Sequence, residues 1–590
     1  MCGILTIVDK KGRALNLAAC RRALSEMTWR GPDEAISLAK FNDRVFLGQT
    51  ILSLTGDLSA PDTNHLCSQS GRYTIAYNGE VYNFQQLAKN KLADLPKLTA
   101  PETTDSEVLA NLHDKFPRAE VPEHLDGMYA YALLDEKSET LTYCRDVQGE
   151  KSLYIFEDEE VLIVSSEIQA ILTLVPRAAI DEQALRDYFR TRHLLLFDRT
   201  AFRDIRQLPP GTVAEFDLRS LRWKTLRRRS LRDWIDPARM QANAARSLDD
   251  LADELDALLA GCVKEMLPAG RKFAAVVSGG VDSSLIAHYV VHGGAPDLLI
   301  AVNHVGKDRI SSDLSGFARA LGAPIDTLEV DKVPYSAEIP RCQKACGSPL
   351  PSHSFVAQAM QSARVAAKGC RVLFGGDTAD EVFGGYSVYA GEHRPDAAYC
   401  PSPYTSYVSP ELEFAGDEPA RFRDELAAAW KESLGAYGHV ADPGARAALA
   451  MMYCDAAYQV PAVGLRGADL MSMMWSVEAR SVYIRRPVLD FALNLPFRAK
   501  IDHAGGDELL RTKVLLKKLF VRHFGRDLLM TKQGFAGFPN ESADYLGAPA
   551  DYLAHRILGI MKGAGAQPLG RDAFWKLANV EYFLRGRGLT

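Results

Sequence analysis

Residues Val276–Ser284 read VVSGGVDSS, and this stretch decides how the second half of the chain folds. The residues leading into it, KFAAV, are apolar and suit a buried strand, and those leaving it, LIAHYVV, suit a helix. Ser-Gly-Gly between them reads as a tight turn. A strand that passes through a glycine turn straight into a helix aims backbone N–H groups and the helix N-terminus at one point, which makes an anion site. The glycines let the backbone approach an oxyanion closely, and the hydroxyls of Ser278, Ser283 and Ser284 add donors. Asp282 fits this loop if a Mg²⁺ bridges its carboxylate to phosphates. The G-x-x-x-x-G-K pattern and its lysine are absent, so this is not a Walker loop.

Downstream, DLLIAVNHV reads as a strand, SSDLSGFARALGA as a helix and PIDTLEV as a third strand. This alternation predicts a parallel sheet. From about residue 355 the pattern is mainly helical apart from the strand before FGGD, and YCPSPYTSYVSPELEF reads as a long loop or lid. Upstream, VFLGQTILSL, YTIAYNGEVY, YAYALLD, TLTYC, SLYIF and VLIVSSE are short, β-branched or aromatic runs, with helical stretches such as DSEVLANLHDKF between them, an α+β pattern. QLPPGTVAEFD closes that half, the Trp223–Trp234 stretch reads as a connector, and SLDDLADELDALLAGCVKEML begins a helix with a serine cap. The expected domains are therefore 1–215, a connector 216–245, and 246–590.

A chain of 590 residues exceeds one ordinary core, so two or more domains are expected. Apolar residues at 47% and charged residues at 24% suit a globular protein, and a net charge of −6 argues against a nucleic-acid-binding surface as the main function. No apolar run is long enough to span a bilayer, and ILTIV runs at once into DKKG, unlike a signal peptide. The ten cysteines form no C-x-x-C pair and no disulfide framework, so a cytoplasmic location is expected.

The chain opens MCGILTIVD. With Met1 removed, Cys2 carries a thiol nucleophile and, on its own α-amine, a base whose ordinary pKa is about 7.7–8.0. One residue then holds both halves of an activated nucleophile.

The string S-G-G-x-D-S-S resembles the pyrophosphate loop of the ATP pyrophosphatases, which split ATP to AMP and pyrophosphate, and FGGDTADEVFGGY is a second match. The first half is similar to the glutaminase domain of N-terminal-nucleophile amidotransferases through Cys2-Gly3-Ile4, RGPDE (30–34), YNGEVYN (77–83), TDSEVL (104–109), LDGMYAYALLDE (125–136), RDVQGEKSLY (145–154) and SSE (165–167). Together the halves resemble the glutamine-dependent asparagine synthetase family over essentially the whole chain. The resemblance implies stacked antiparallel sheets with helices in a glutaminase domain, then an α/β ATP-pyrophosphatase domain with a helical C-terminal region. It implies that Cys2 attacks the glutamine side-chain amide, that Asn78 and Gly79 form the oxyanion hole, and that Asp105 holds the glutamine α-amine with Glu80 beside it. It further implies ATP contacts at Val276, Ser278, Gly279, Gly280, Asp282, Ser283, Ser284, Val302, Gly375 and Gly376, with Asp282 and Asp380 as Mg²⁺ carboxylates. Lys532, in TKQGF, matches the lysine that neutralises developing charge, and Asp377 and Glu478 are candidates for assisting amide formation. The substrates so implied are L-glutamine, ATP and a carboxylate, with a homodimer left open.

Three departures from the family bear on function. Its glutamine-gripping arginine is Ile51 here, which forms no bidentate carboxylate pair, and Arg72 is the candidate to compensate. Its V-E-A-R-V-P-F-L-D reads VEARSVYIR, which puts Arg485 where an acid is usual. Asp377 is followed by Thr378 where glycine is usual; the related β-lactam synthetases carry tyrosine at the Asp377 position, so Asp377 leans towards intermolecular amidation. Aspartate is the default acceptor and a specialised carboxylate is the variant reading. The alternative is an intramolecular cyclase, a lactam or macrolactam synthetase with reduced glutaminase activity, and a third reading is a sensor on a dead scaffold.

Overall fold

The computed structural model describes residues 2–55, 67–100, 102–191, 198–303, 314–330, 335–391, 393, 395–398, 400, 412–414, 416, 420–503, 507–530, 552–562 and 571–588. Among them the first half contributes β1 (Cys2–Asp9), β2 (Glu34–Lys40), β3 (Val45–Ile51), β4 (Tyr73–Val81), β5 (Gly127–Asp135), β6 (Thr140–Arg145), β7 (Tyr154–Glu157), β8 (Val161–Ser165), β9 (Ile205–Gln207), β10 (Thr212–Asp217) and β11 (Arg222–Arg228). They form two antiparallel sheets, ordered β2–β3–β1–β8–β7–β9 and β11–β10–β6–β5–β4. The sheets share a core of Ile4, Val8, Leu47, Ala132, Leu134, Leu141, Val164 and Phe216. Both faces of β1 are covered, which explains its apolar reading without clear alternation. The antiparallel sheet runs past residue 215, because β11 pairs with β10 and Trp223 packs against Phe216 and Tyr143 at ring distances of 5.2 and 5.5 Å.

The second half contributes β12 (Phe273–Val276), β13 (Leu298–Asn303), β14 (Ile325–Glu329), β15 (Val372–Gly375), β16 (Leu412–Phe414), β17 (Glu478–Ser481) and β18 (Ile560–Lys562). Five of these make an all-parallel sheet ordered β14–β13–β12–β15–β17, and β16 pairs with β18. The strand order reverses between β12 and β15, and a ligand crevice in an open parallel sheet lies at the carboxyl ends on either side of such a reversal. Helices Leu248–Met266, Val281–Gly293 and Val514–Phe524 cover the sheet through one large core. The region beyond residue 355 is mainly helical, but β17 is a strand that pattern reading misses: four residues are too few to display a period. The two halves are not independent bodies. Leu5, Ile7 and Phe46 of the first half share a core with Phe355, Trp575 and Leu577 of the second. Among the described residues, no helix is long and apolar enough to cross a membrane.

Candidate active sites at the two sides of the domain interface

The first site forms where β1 and β4 begin and end. Cys2 is 7% exposed, and its backbone nitrogen donates to Asn78 Oδ1 at 3.0 Å. The other end of that amide, Asn78 Nδ2, is buried and has no partner among the described residues. A desolvated donor left unmet beside a thiol suits a charge that exists only during reaction. Gly79 follows, where an added Cβ would lie 2.1 Å from the Met128 carbonyl oxygen, so β4 and β5 close up only around glycine. Asp105 opens the helix Asp105–Lys115, capped by Thr104. Its Oδ2 accepts from Tyr77 Oη at 2.6 Å and from the Val81 N–H at 3.0 Å. Burial holds the Asp105 carboxyl above its ordinary pKa in spite of those donors. Glu80 is buried beside it, its pKa raised to about 8 by desolvation and by the neighbouring Asp105.

Ile51 is the direct cross-strand partner of Cys2, so the two side chains share a sheet face. Arg72 does not compensate for it. Its Nε and Nη2 bind Asp135 at 3.1 and 2.7 Å, at the far end of β4 from Asn78.

The second site lies at the carboxyl ends of β12, β13 and β15, where Val276, Val302 and Gly375 fall close together. Gly279 takes the left-handed conformation at φ 76°, and Gly280 precedes the helix Val281–Gly293. The loop uses part of its own donor set. The Ser278 N–H donates to Ser283 Oγ at 3.0 Å, the Gly280 N–H to Ser278 Oγ at 3.3 Å, and the two hydroxyls bind each other at 2.7 Å. That pair therefore keeps one hydroxyl hydrogen for a ligand. Ser284 is wholly buried, and its hydroxyl has no hydrogen-bond partner among the described residues. An added Cβ on Gly376 would lie 2.5 Å from the Ser283 nitrogen, so the second glycine loop rests directly on the first.

Asp282 and Asp380, far apart in sequence, converge on one cation. Lys513 Nζ lies 2.5 Å from Asp282 Oδ2 and 2.5 Å from Asp380 Oδ1, and its side chain is only 5% exposed. A buried ammonium between two carboxylates marks a position of concentrated negative charge. Two hard oxygen donors of this kind fit a divalent cation such as Mg²⁺. Nothing in the stretch TKVLLKK singles out Lys513; only its position between the two acids does. Lys532 and most of YCPSPYTSYVSPELEF lie outside the described residues.

Asp377 sits above β15 with its pKa raised to about 6 by burial. The structure does not bring Glu478 to it. Glu478 enters the sheet opposite Val372, whereas the ligand edge is reached only at Ser481, opposite Gly375. Glu478 instead accepts from Arg480 Nε at 2.6 Å, and Arg480 Nη2 lies 3.7 Å from Glu80, a buried seam between the two halves. Arg485 is likewise turned away from the site. It binds Asp126 at 2.5 Å and Glu265 at 2.6 Å over the ring of Tyr82, so the base in place of the usual acid braces the interface.

Thr378 adopts φ 75°, with its buried hydroxyl partnerless among the described residues. A left-handed threonine costs about 1–2 kcal/mol and an unmet buried hydroxyl about 1–3 kcal/mol, against about 0.5–1 kcal/mol for the freedom of glycine. Thr378→Gly should therefore stabilise the protein by about 1–2 kcal/mol, read as a higher urea midpoint at unchanged slope.

Residues 1–226 match the model of the glutamine amidotransferase domain, and residues 254–581 match that of asparagine synthase. The chain belongs to the asparagine synthase family. A Mycobacterium tuberculosis relative is 28% identical over 415 residues, 66% of this chain and 61% of its own. Asparagine synthetase 3 (glutamine-hydrolyzing) of Bacillus subtilis is 27% identical over 318 residues, 52% of this chain and 49% of its own. Amidase chry2 of Gibberella zeae is 26% identical over 430 residues, 68% and 62% respectively. This asparagine synthase family chain thus spans less than two thirds of the length of the curated relatives it matches.

Proposed function

We propose that the chain is a glutamine-dependent, ATP-consuming ligase that converts a carboxylate into an amide. The observation that carries this reading is the convergence of Asp282 and Asp380 on one cation at the foot of the glycine loop, joined by a solid domain interface to Cys2 and Asn78. In this reading the Cys2 thiolate attacks the glutamine amide carbon while the free α-amine takes and returns the proton. Asn78 Nδ2 and the Gly79 N–H meet the oxyanion, and Asp105 holds the glutamine ammonium with Glu80 beside it. Ammonia crosses the interface within the protein. At the second site the acceptor carboxylate attacks the α-phosphorus of ATP, pyrophosphate leaves towards the N–H groups of the glycine loop, and ammonia displaces AMP from the acyl-adenylate. Mg²⁺ held by Asp282 and Asp380 would neutralise phosphate charge, with Lys513 close by; Lys532 is proposed for the same work. Asp377, its pKa raised to about 6 by burial, takes a proton from the attacking ammonia in this reading. The acceptor is aspartate by default, or a specialised carboxylate.

The test is AMP release against a panel of carboxylates, with glutamine or ammonium as nitrogen donor. AMP with any acceptor in both modes supports the ligase. AMP that needs neither nitrogen source identifies a cyclase instead, and no AMP with any acceptor overturns the reading.

Ile51 supplies neither charge nor a donor to the glutamine carboxylate, and hydrogen bonds to charged groups are worth about 1.5–3 kcal/mol. Ile51→Arg should therefore lower the glutamine concentration for half-maximal activity by about tenfold or more, while leaving ammonium-driven turnover unchanged. An inert substitution would mean that another group holds the carboxylate.

A further inference from the structure

Residues Asp455–Gly464 wind as a π-helix between the α-helices Pro443–Cys454 and Leu465–Met473. π-helical turns are rare and collect at functional places. This one is tied to both active sites. At its start, Tyr389 Oη donates to Asp455 Oδ2 at 2.5 Å, and Tyr389 follows the Asp380 loop through the short helical turn Ser387–Ala390. Midway, Pro461 lies so close to Gly149 of the first half that a Cβ there would meet it at 2.8 Å. Past its end, Asp469 accepts from two cations of the first half. Arg30 Nη2 reaches both its oxygens at 2.9 Å, and Lys151 Nζ reaches Oδ1 at 2.8 Å. Arg30 Nε then donates to the carbonyl oxygen of Cys2 at 3.0 Å.

Every member of this cluster is buried, with Asp469 itself 4% exposed. Each cation also has a second acid within the first half: Arg30 lies 3.2 Å from Glu167, and Lys151 lies 3.9 Å from Glu150. If Asp469 moves, Arg30 keeps Glu167 and Lys151 keeps Glu150, so neither cation is stranded and a second arrangement of the cluster is open to it. A coupling element needs that property. On the other side, Ser472 Oγ donates to the Asp469 carbonyl and the Val477 N–H to the Ser472 carbonyl, both at 3.2 Å, so the helix passes into β17 with little slack.

We propose that Asp469 is the positioning residue that couples the two sites: the π-helical segment carries a change at the Asp380 loop to Asp469, and Asp469 passes it through Arg30 to the backbone of Cys2. This inference rests on the two-site reading above. It predicts that Asp469 governs whether glutamine is hydrolysed in step with adenylation, while contributing nothing to adenylation itself.

The test uses the full chain with glutamine, MgATP and whichever carboxylate of the panel above supports AMP release, L-aspartate first, and measures glutamate and AMP together, with ammonium chloride as the alternative nitrogen source. Wild type should release close to one glutamate per AMP. Asp469→Asn should release at least about fivefold more glutamate per AMP, keep ammonium-driven AMP release within about twofold, and regain coupling as Asp469→Glu. A second readout needs no acceptor: amide hydrogen exchange of residues 2–9 should change on adding MgATP in wild type and stay unchanged in Asp469→Asn. Should that variant melt below the assay temperature, Lys151→Met, which retains the Arg30–Asp469 pair, should show the same uncoupling in weaker form. A one-to-one ratio in the folded variant, or exchange at residues 2–9 indifferent to MgATP in wild type, overturns the proposal. Absence of AMP from wild type with every acceptor counts against the ligase reading instead, and the exchange measurement still judges the coupling.

Discussion

Cys2→Ala should reduce glutamine-driven amide formation by at least about 10⁴-fold and leave ammonium-driven turnover within about twofold. Removing a nucleophile from a covalent mechanism leaves only binding and oxyanion stabilisation, a loss of this order or greater. The asymmetry between the two nitrogen sources is the decisive part. The carboxylate pair that marks the second site, Asp282 and Asp380, belongs to the parallel-sheet half, and Cys2 belongs to β1. A thiol-to-methyl change at a 7% exposed position removes little volume, so the fold should persist. Mass spectrometry of active wild-type protein should show Met1 removed, because only a free α-amine serves as the built-in base. Full glutamine-dependent turnover by Cys2→Ala, or by protein that retains Met1, would refute the role given to this residue.

Asp282→Asn should cut pyrophosphate release by about 10²–10³-fold with either nitrogen source, the usual cost of losing one preorganised electrostatic contact to a transferring phosphoryl group. The substitution keeps shape and removes one charge. It leaves Lys513 facing a single carboxylate, Asp380, so the cation-binding character of the position falls along with the reaction rate. Raising the Mg²⁺ concentration should recover part of the lost rate if the carboxylate acts through the metal. Unchanged pyrophosphate release in the variant, or ADP as the wild-type product, would sink the assignment. Glutamate release from glutamine without ATP should survive in Asp282→Asn, the mirror image of the Cys2→Ala result.

Much of this architecture was legible from local sequence. VVSGGVDSS encodes a strand, a glycine turn and a helix within a few residues, and local propensity is enough to fix all three. MCGILTIVD likewise becomes β1 with the thiol at its first residue. The pairing of Asp282 with Asp380 was expected from the resemblance of their two glycine-rich stretches to the ATP pyrophosphatases, and the structure brings both acids to Lys513. The fates of Arg72, Glu478 and Arg485 were not readable in this way. Each is a charged residue close in sequence to a signature motif, and sequence proximity suggested a part in the chemistry. Tertiary packing gave them other partners: Asp135 for Arg72, Arg480 for Glu478, and Asp126 with Glu265 for Arg485.

The sequence alone therefore determined the order of the two halves, the strand-to-helix geometry of the glycine loop and the cysteine at the head of β1, since these depend on contacts within a few residues. Only the tertiary structure decided that Lys513 stands between Asp282 and Asp380, that Asn78 keeps an unmet donor beside Cys2, and that Asp469 faces Arg30 and Lys151 across the interface. A buried charge must find a counter-charge wherever the fold brings one near, and residues hundreds of positions apart meet only once the sheets have stacked and the helices have closed over them.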